Sequence, residues 1–147
     1  MLQHFLFCLI LLPLQHLNAQ QTPAAVPSPI GTWRTTDDET GEVKSHIRIF
    51  EKDGQQFGKI VKLMRENLNH LCDKCDGERK NKPVLNMVII ENMAYSDGHW
   101  QGGRVLYPRE GKWYKLKYWL QPGNANCLVM RGYLGPFYRT QYWHRVE

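Results

Sequence analysis

Several short runs of this chain alternate apolar and polar residues with period two, and turn residues separate them. In one run Val43, Ser45, Ile47 and Ile49 alternate with Lys44, His46 and Arg48; in another Tyr114, Leu116, Tyr118 and Leu120 alternate with Trp113, Lys115, Lys117 and Trp119. Successive side chains of an extended strand point to opposite faces, so these runs read as strands with one face buried. Stretches rich in Val, Ile, Tyr, Trp and Thr cover 32–36, 42–51, 55–65, 84–94, 100–107, 112–120, 126–134 and 137–146. Asp53-Gly54, Asp97-Gly98, Glu110-Gly111 and Pro122-Gly123 stand between them, pairs suited to tight turns. Eight strands at this spacing predict an all-β fold, a single small closed antiparallel barrel. The stretch 84–94 also fits about two helical turns, but its Val88-Ile89-Ile90 centre favours a strand.

The amino-terminal end has a different composition. Residues 5–14 are almost wholly apolar, and Leu17-Asn18-Ala19 follows a short polar stretch, the pattern of a signal peptide over 1–19. The apolar run is well short of the roughly 20 residues that a membrane-spanning helix needs, so no stable membrane anchor is expected. Residues 20–29 carry three prolines and little large apolar surface, and they read as a flexible linker ahead of a domain over 30–147. A periplasmic or secreted location follows. The full chain of 147 residues suits one domain with one core. Its formal charge of +5 is compatible with an anionic ligand or surface, whereas export argues against nucleic acid as a partner.

A resemblance to a known family rests on particular residues. They are Ile30-Gly31-Thr32-Trp33, Glu51-Lys52-Asp53-Gly54, Phe57-Gly58-Lys59-Ile60-Val61, Cys72-Asp73-Lys74-Cys75-Asp76-Gly77, Asn81-Lys82-Pro83, Gly102-Gly103, Arg131-Gly132-Tyr133 and Tyr138-Arg139-Thr140-Gln141-Tyr142-Trp143. Together they resemble the exported bacterial family catalogued as domain of unknown function 2147, from about Ile30 to the carboxyl end. The resemblance implies a lipocalin-like barrel outside the cytoplasm and supplies no mechanism. The chain departs from the family pattern at Asn86, where glycine is usual, and at Leu116, where a cysteine often stands. Gly31-x-Trp33 also resembles the opening of lipocalin-type barrels. That likeness implies a tryptophan plugging the closed end under an arginine of the last strand, with Arg139 and Arg145 as candidates.

Cys72 and Cys75 form a Cys-x-x-Cys in a polar loop. A disulfide pinning that loop, a metal site that also recruits His70, and a redox-active dithiol are the three chemistries open to it. A closed zinc site wants four ligands, and no second such pair is present. Asp73 and Asp76 counter the thiolate-stabilising charge of Lys74 and Arg79. Cys127 is left over in a strand as a small apolar residue. His46, His99 and His144 lie in or beside strands without a local nucleophile or acid, so no catalytic residues, metal or cofactor are assigned.

Aromatic and basic residues alternate with the apolar ones near the carboxyl end: Trp113, Lys115, Lys117, Trp119, then Arg131 and Tyr133, then Arg139, Gln141, Trp143 and Arg145. Facing inward, these would line a cavity for a small amphipathic or anionic ligand. Facing outward, they are solvated rows whose rings cover lysine stems. The expectation carried forward is an exported binding barrel for such a ligand or for an envelope partner. A thiol-dependent envelope protein and a structural component are the alternatives.

Overall fold

The computed structural model describes residues 27–64 and 70–146. The expected signal peptide and most of the expected linker lie outside the described residues. Among the described residues nine antiparallel strands form one sheet: β1 (Gly31–Thr36), β2 (Val43–Lys52), β3 (Gln55–Leu63), β4 (Val88–Ser96), β5 (His99–Gln101), β6 (Arg104–Tyr107), β7 (Lys112–Gln121), β8 (Asn124–Leu134) and β9 (Phe137–Arg145). Each strand pairs with its sequence neighbour or, like β1 with β9, with the far end of the chain. β3 also pairs with β4, so the sheet closes on itself and leaves no free edge.

β5 and β6 both lie between β4 and β7, and they are two halves of one barrel strand broken at Gly102-Gly103. The fold is therefore a closed eight-stranded barrel with one strand in two pieces. The stretch 84–94, expected as a strand throughout, is extended only from Val88. Before it the chain turns through Asn86 at φ 68°, a left-handed conformation that asparagine tolerates better than most residues.

Burial follows strand parity except in β4, where Ile89 and Ile90 are both buried, and in β8, where Cys127 through Met130 are. Trp33 and Thr35 of β1, Ile47 and Ile49 of β2, Gln56 and Ile60 of β3, Leu116 and Tyr118 of β7, Leu128 and Met130 of β8 and Trp143 of β9 face the interior. The turns at Asp53-Gly54, Asp97-Gly98 and Pro122-Gly123 gather at one end of the barrel. The other end carries the connections 37–42, 64–87, 108–111 and 135–136.

Residues 70–87 of the connection 64–87 fold back over the outer wall. Cys72 and Cys75 are joined in a disulfide and almost completely buried. The Cys72 amide donates to the Lys82 carbonyl at 2.8 Å, and the Val84 amide donates to His70 at 2.9 Å. Arg79, in a short 3₁₀ turn, pairs with Glu91 of β4, which also accepts from Arg104 of β6 at 3.0 Å. Both guanidinium groups lie over the Trp113 ring, at 5.1 and 4.0 Å from its centre. An acid shared by two arginines on one indole locks the loop to strands β4, β6 and β7.

The turn after β6 completes this seat. Gly111 has φ 67°, and a Cβ there would overlap the Lys74 carbonyl oxygen. Gly111→Ala is expected to cost on the order of 3 kcal/mol, combining left-handed strain with displacement of the disulfide loop. Gly123→Ala, at φ 76° but facing open space, isolates the strain and is expected to cost about 1 kcal/mol. Urea midpoints of the two variants check the difference, and equal losses would show that Lys74 does not press on Gly111.

Candidate functional site

The interior is plugged at the turn end and hollow at the other. Trp33 is fully buried and donates its indole N–H to the Pro29 carbonyl at 2.7 Å. The Arg145 guanidinium stacks 4.2 Å above the Trp33 ring and donates to the carbonyls of Ser28, Ile30 and Ala125 at 2.8, 3.0 and 3.1 Å. Gly31 makes room for it, since a Cβ at that position would meet Nη1 at 2.7 Å. The Gly31-x-Trp33 spacing thus has a local cause: the glycine admits the arginine that covers the tryptophan two residues on. Ser28 and Pro29, placed in the linker by composition, are part of this plug, because the Pro29 carbonyl satisfies the buried Trp33 indole and the Ser28 carbonyl holds Arg145 over it.

Tyr118 continues the plug inward. It is completely buried, its hydroxyl donates to Gln56 Oε1 at 2.8 Å, and Trp100 stacks on it at 5.9 Å. Burial pushes the Tyr118 phenol well above its ordinary range, so it is a neutral hydrogen-bond donor at every working pH.

Above the plug are two adjoining hollows. One, of about 350 Å³, is bounded by Val105, Tyr114, Leu116, Met130, Leu134 and Phe137 from β6 to β9. The other, of about 330 Å³, lies toward β1 to β3, with Thr35, Ser45, Ile47, Ile60 and His70 in its wall. Arg139 and Gln141 border both. Asp38 holds these two in place, pairing with Arg139 and accepting from Gln141 Nε2 at 3.1 Å.

The rim is polar and cross-braced. Asp37 accepts from the amides of Glu39 and Thr40 at 2.9 and 3.0 Å and pairs with Lys44 at 3.0 Å. The Lys44 ammonium, then those two amides, hold the Asp37 carboxyl well below the usual carboxylate range. Tyr114 donates to Glu110 at 2.6 Å, a bond that raises the phenol above its ordinary value. One half of the chamber is therefore aliphatic and aromatic, the other carries hydroxyls, and the mouth between them carries an arginine and an amide.

The residues singled out from sequence divide by parity. Gln141 and Trp143 face inward, and Gln141 borders both hollows while Trp143 packs in the core. Trp113, Lys115, Lys117, Trp119, Arg131 and Tyr133 face outward, as the rows reading of these strands had it, because the opposite parity of β7 and β8 carries the buried Leu116, Tyr118, Leu128 and Met130. Outside the barrel Arg131 lies over Trp119 and Tyr138, at 5.2 and 4.5 Å. Of the two arginines considered for the plug, Arg145 stacks on Trp33. Arg139 starts six residues earlier, roughly 20 Å along the same strand, and sits at the mouth instead.

The lining residues Tyr114, Met130, Leu134 and Phe137 were not among the sequence candidates. His46 and His144 lie on the outer wall, and His99 is held by the Asp97 carbonyl at 2.7 Å and by the edge of Trp119. Cys127 is a free, buried thiol, raised in pKa by that burial. Among the described residues no group of three or more His, Cys, Asp or Glu side chains could hold a metal ion.

No curated protein matches the chain. A solved structure does: a protein of the human pathogen Helicobacter pylori, HP1028, described as belonging to the lipocalin family. The two superpose with a TM-score of 0.71 over 83% of this chain and 85% of that one, at 14% sequence identity. At that identity the likeness establishes the fold, a lipocalin-like barrel. The family model for an uncharacterized protein conserved in bacteria, DUF2147, matches residues 31–145, which is nearly the whole barrel, and the chain belongs to that family.

Proposed function

We propose that this protein is an exported, non-catalytic barrel that carries one small amphipathic ligand. The observation behind the proposal is the two-sided chamber: an apolar hollow of about 350 Å³ walled by Tyr114, Leu116, Met130, Leu134 and Phe137, with Arg139 and Gln141 at its mouth. That volume falls within the range of small-molecule sites, and a mostly apolar wall with a few fixed polar groups is their usual composition. The apolar part of the ligand lies against Leu116 and Met130, and its polar head meets Arg139 and Gln141, which Asp38 already holds in position. Such preorganisation lowers the ordering cost of binding. A leader peptide over 1–19 is the basis for placing the protein in the periplasm or outside the cell.

Titration of the purified protein with a single-chain fluorescent fatty acid is expected to saturate at one molecule per barrel, with a Kd on the order of 1 μM. Absence of saturable uptake, together with native mass spectra of protein from cell extracts that show no bound small molecule, overturns the proposal. Fractionation of cells tests export separately: the processed chain is expected with the envelope or the medium and not the cytosol.

A further inference from the structure

The charges of the barrel wall are sorted by sign. In the six adjacent strands β7, β8, β9, β1, β2 and β3 the one carboxylate is Glu51, at the end of β2. Among the described residues the remaining acids sit in connections, apart from Glu91, which two arginines neutralise. On the outer face of β9-β1-β2-β3 the bases are set directly opposite one another. Arg34 faces His144 on one side and His46 on the other, His46 faces Lys62, and Arg48 faces Lys59.

Like charges opposite each other in an antiparallel ladder are destabilising. Nothing in the described structure offsets that cost, since Arg34, Arg48, Lys59 and Lys62 have no carboxylate within ion-pair distance. Partial burial, then Lys62 and Arg34, hold His46 below the ordinary imidazole range. Beside the Arg48–Lys59 pair, on the same outer face, Phe50 and Phe57 stack at 5.9 Å.

We infer that this wall docks on an anionic membrane surface, with Arg34, Arg48, Lys59 and Lys62 meeting phosphate-bearing lipid headgroups and the Phe50–Phe57 pair at the edge of the contact. The array is two-dimensional, four strands and about 14 Å wide, which suits a plane of charges. A single-stranded polyanion would call for one basic track interleaved with stacking rings, and here the two rings are paired with each other at one end of the patch. The inference does not depend on the interior ligand, because the surface contact involves none of the chamber residues.

Co-sedimentation at about 0.1 M salt with phosphatidylcholine vesicles containing about one-third phosphatidylglycerol tests it without any interior ligand. The protein is expected to pellet with these vesicles and to stay in solution with pure phosphatidylcholine. At about 1 kcal/mol per cation, the double variant Arg48→Gln/Lys59→Gln is expected to bind roughly 30-fold more weakly. The same change of charge on the far wall, Lys115→Gln/Lys117→Gln, is expected to weaken binding less than about fivefold. The first variant should also melt at the same or a higher temperature than the parent, since a repulsive pair is removed. Equal losses from both variants, equal binding to neutral vesicles, or capture of duplex DNA without vesicle binding would each overturn the inference.

Discussion

Trp33→Ala is expected to remove roughly 3–5 kcal/mol of stability, a large share of the total for a domain of this size. The indole is fully buried, so truncation leaves a cavity at the centre of the plug. Two further contributions go with it. The Pro29 carbonyl loses its 2.7 Å donor and with it a tie to β1, and Arg145 loses the ring beneath its guanidinium. Trp119→Ala is the matched control. That ring is half-buried on the outer wall, against His99 and Arg131, and its loss is expected to cost about 1 kcal/mol. Urea unfolding followed by far-ultraviolet circular dichroism reads both. A Trp33 variant no less stable than the Trp119 variant would mean that the plug does not hold the barrel closed.

A second comparison asks whether the plug acts as a unit. Arg145→Leu keeps an apolar cover over the indole but removes four polar contacts, to the Ser28, Ile30 and Ala125 carbonyls and to the Trp33 ring face. Residues that share partners are not additive. The double variant Trp33→Ala/Arg145→Leu should therefore be clearly less unstable than the sum of the two single losses.

The strands could be read from sequence because most alternate over much of their length, although β4 buries Ile89 and Ile90 together and β8 buries Cys127 through Met130. In β2, Ile47 and Ile49 face in while Arg48 faces out, and no residue breaks the alternation between them. Which parity pointed inward was left open by the sequence: on β7 one face offers Tyr114, Leu116, Tyr118 and Leu120, the other Trp113, Lys115, Lys117 and Trp119. Burying the second set would take two lysine charges out of water. Two tryptophans made that face look like a lining, yet outside the barrel Trp113 and Trp119 serve as platforms for arginines.

Other features depend on contacts between distant segments, and no local pattern carries them. The mouth joins Asp38 to Arg139 and Gln141 across more than 100 residues of sequence. The plug joins Ser28 to Arg145 in the same way, and this is why Pro29 looked like linker. The break between β5 and β6 was marked by Gly102-Gly103, but two glycines signal a bend without saying that the strand resumes beyond it. The Cys72–Cys75 bond was one of three chemistries that the spacing left open. Its burial against the Pro108 carbonyl, which lies 3.4 Å from Cys72 Sγ, was not legible there.

Gly132→Phe is expected to abolish ligand uptake while leaving the barrel intact, and it separates the chamber from the fold more cleanly than truncating a lining residue. Gly132 lies on β8 in the wall of the apolar hollow, between Leu116 of β7 and Arg139 of β9. A Cβ there would meet nothing closer than Tyr114 Cβ at 3.9 Å, an ordinary contact, and the backbone is not left-handed. A benzyl group therefore enters the hollow without straining the strand. Glycine is a poor strand residue, so stability should be unchanged or higher by up to about 1 kcal/mol. If the hollow is where the apolar part of the ligand lies, affinity for the fluorescent fatty acid should fall at least about 100-fold, or roughly 2.7 kcal/mol. Gly132→Ala, which adds one methyl group to the same wall, should lower affinity only a few-fold. A Gly132→Phe protein that folds normally and binds as tightly as the parent would remove the chamber from the account of function, because the ligand would then have to sit somewhere that this ring does not reach.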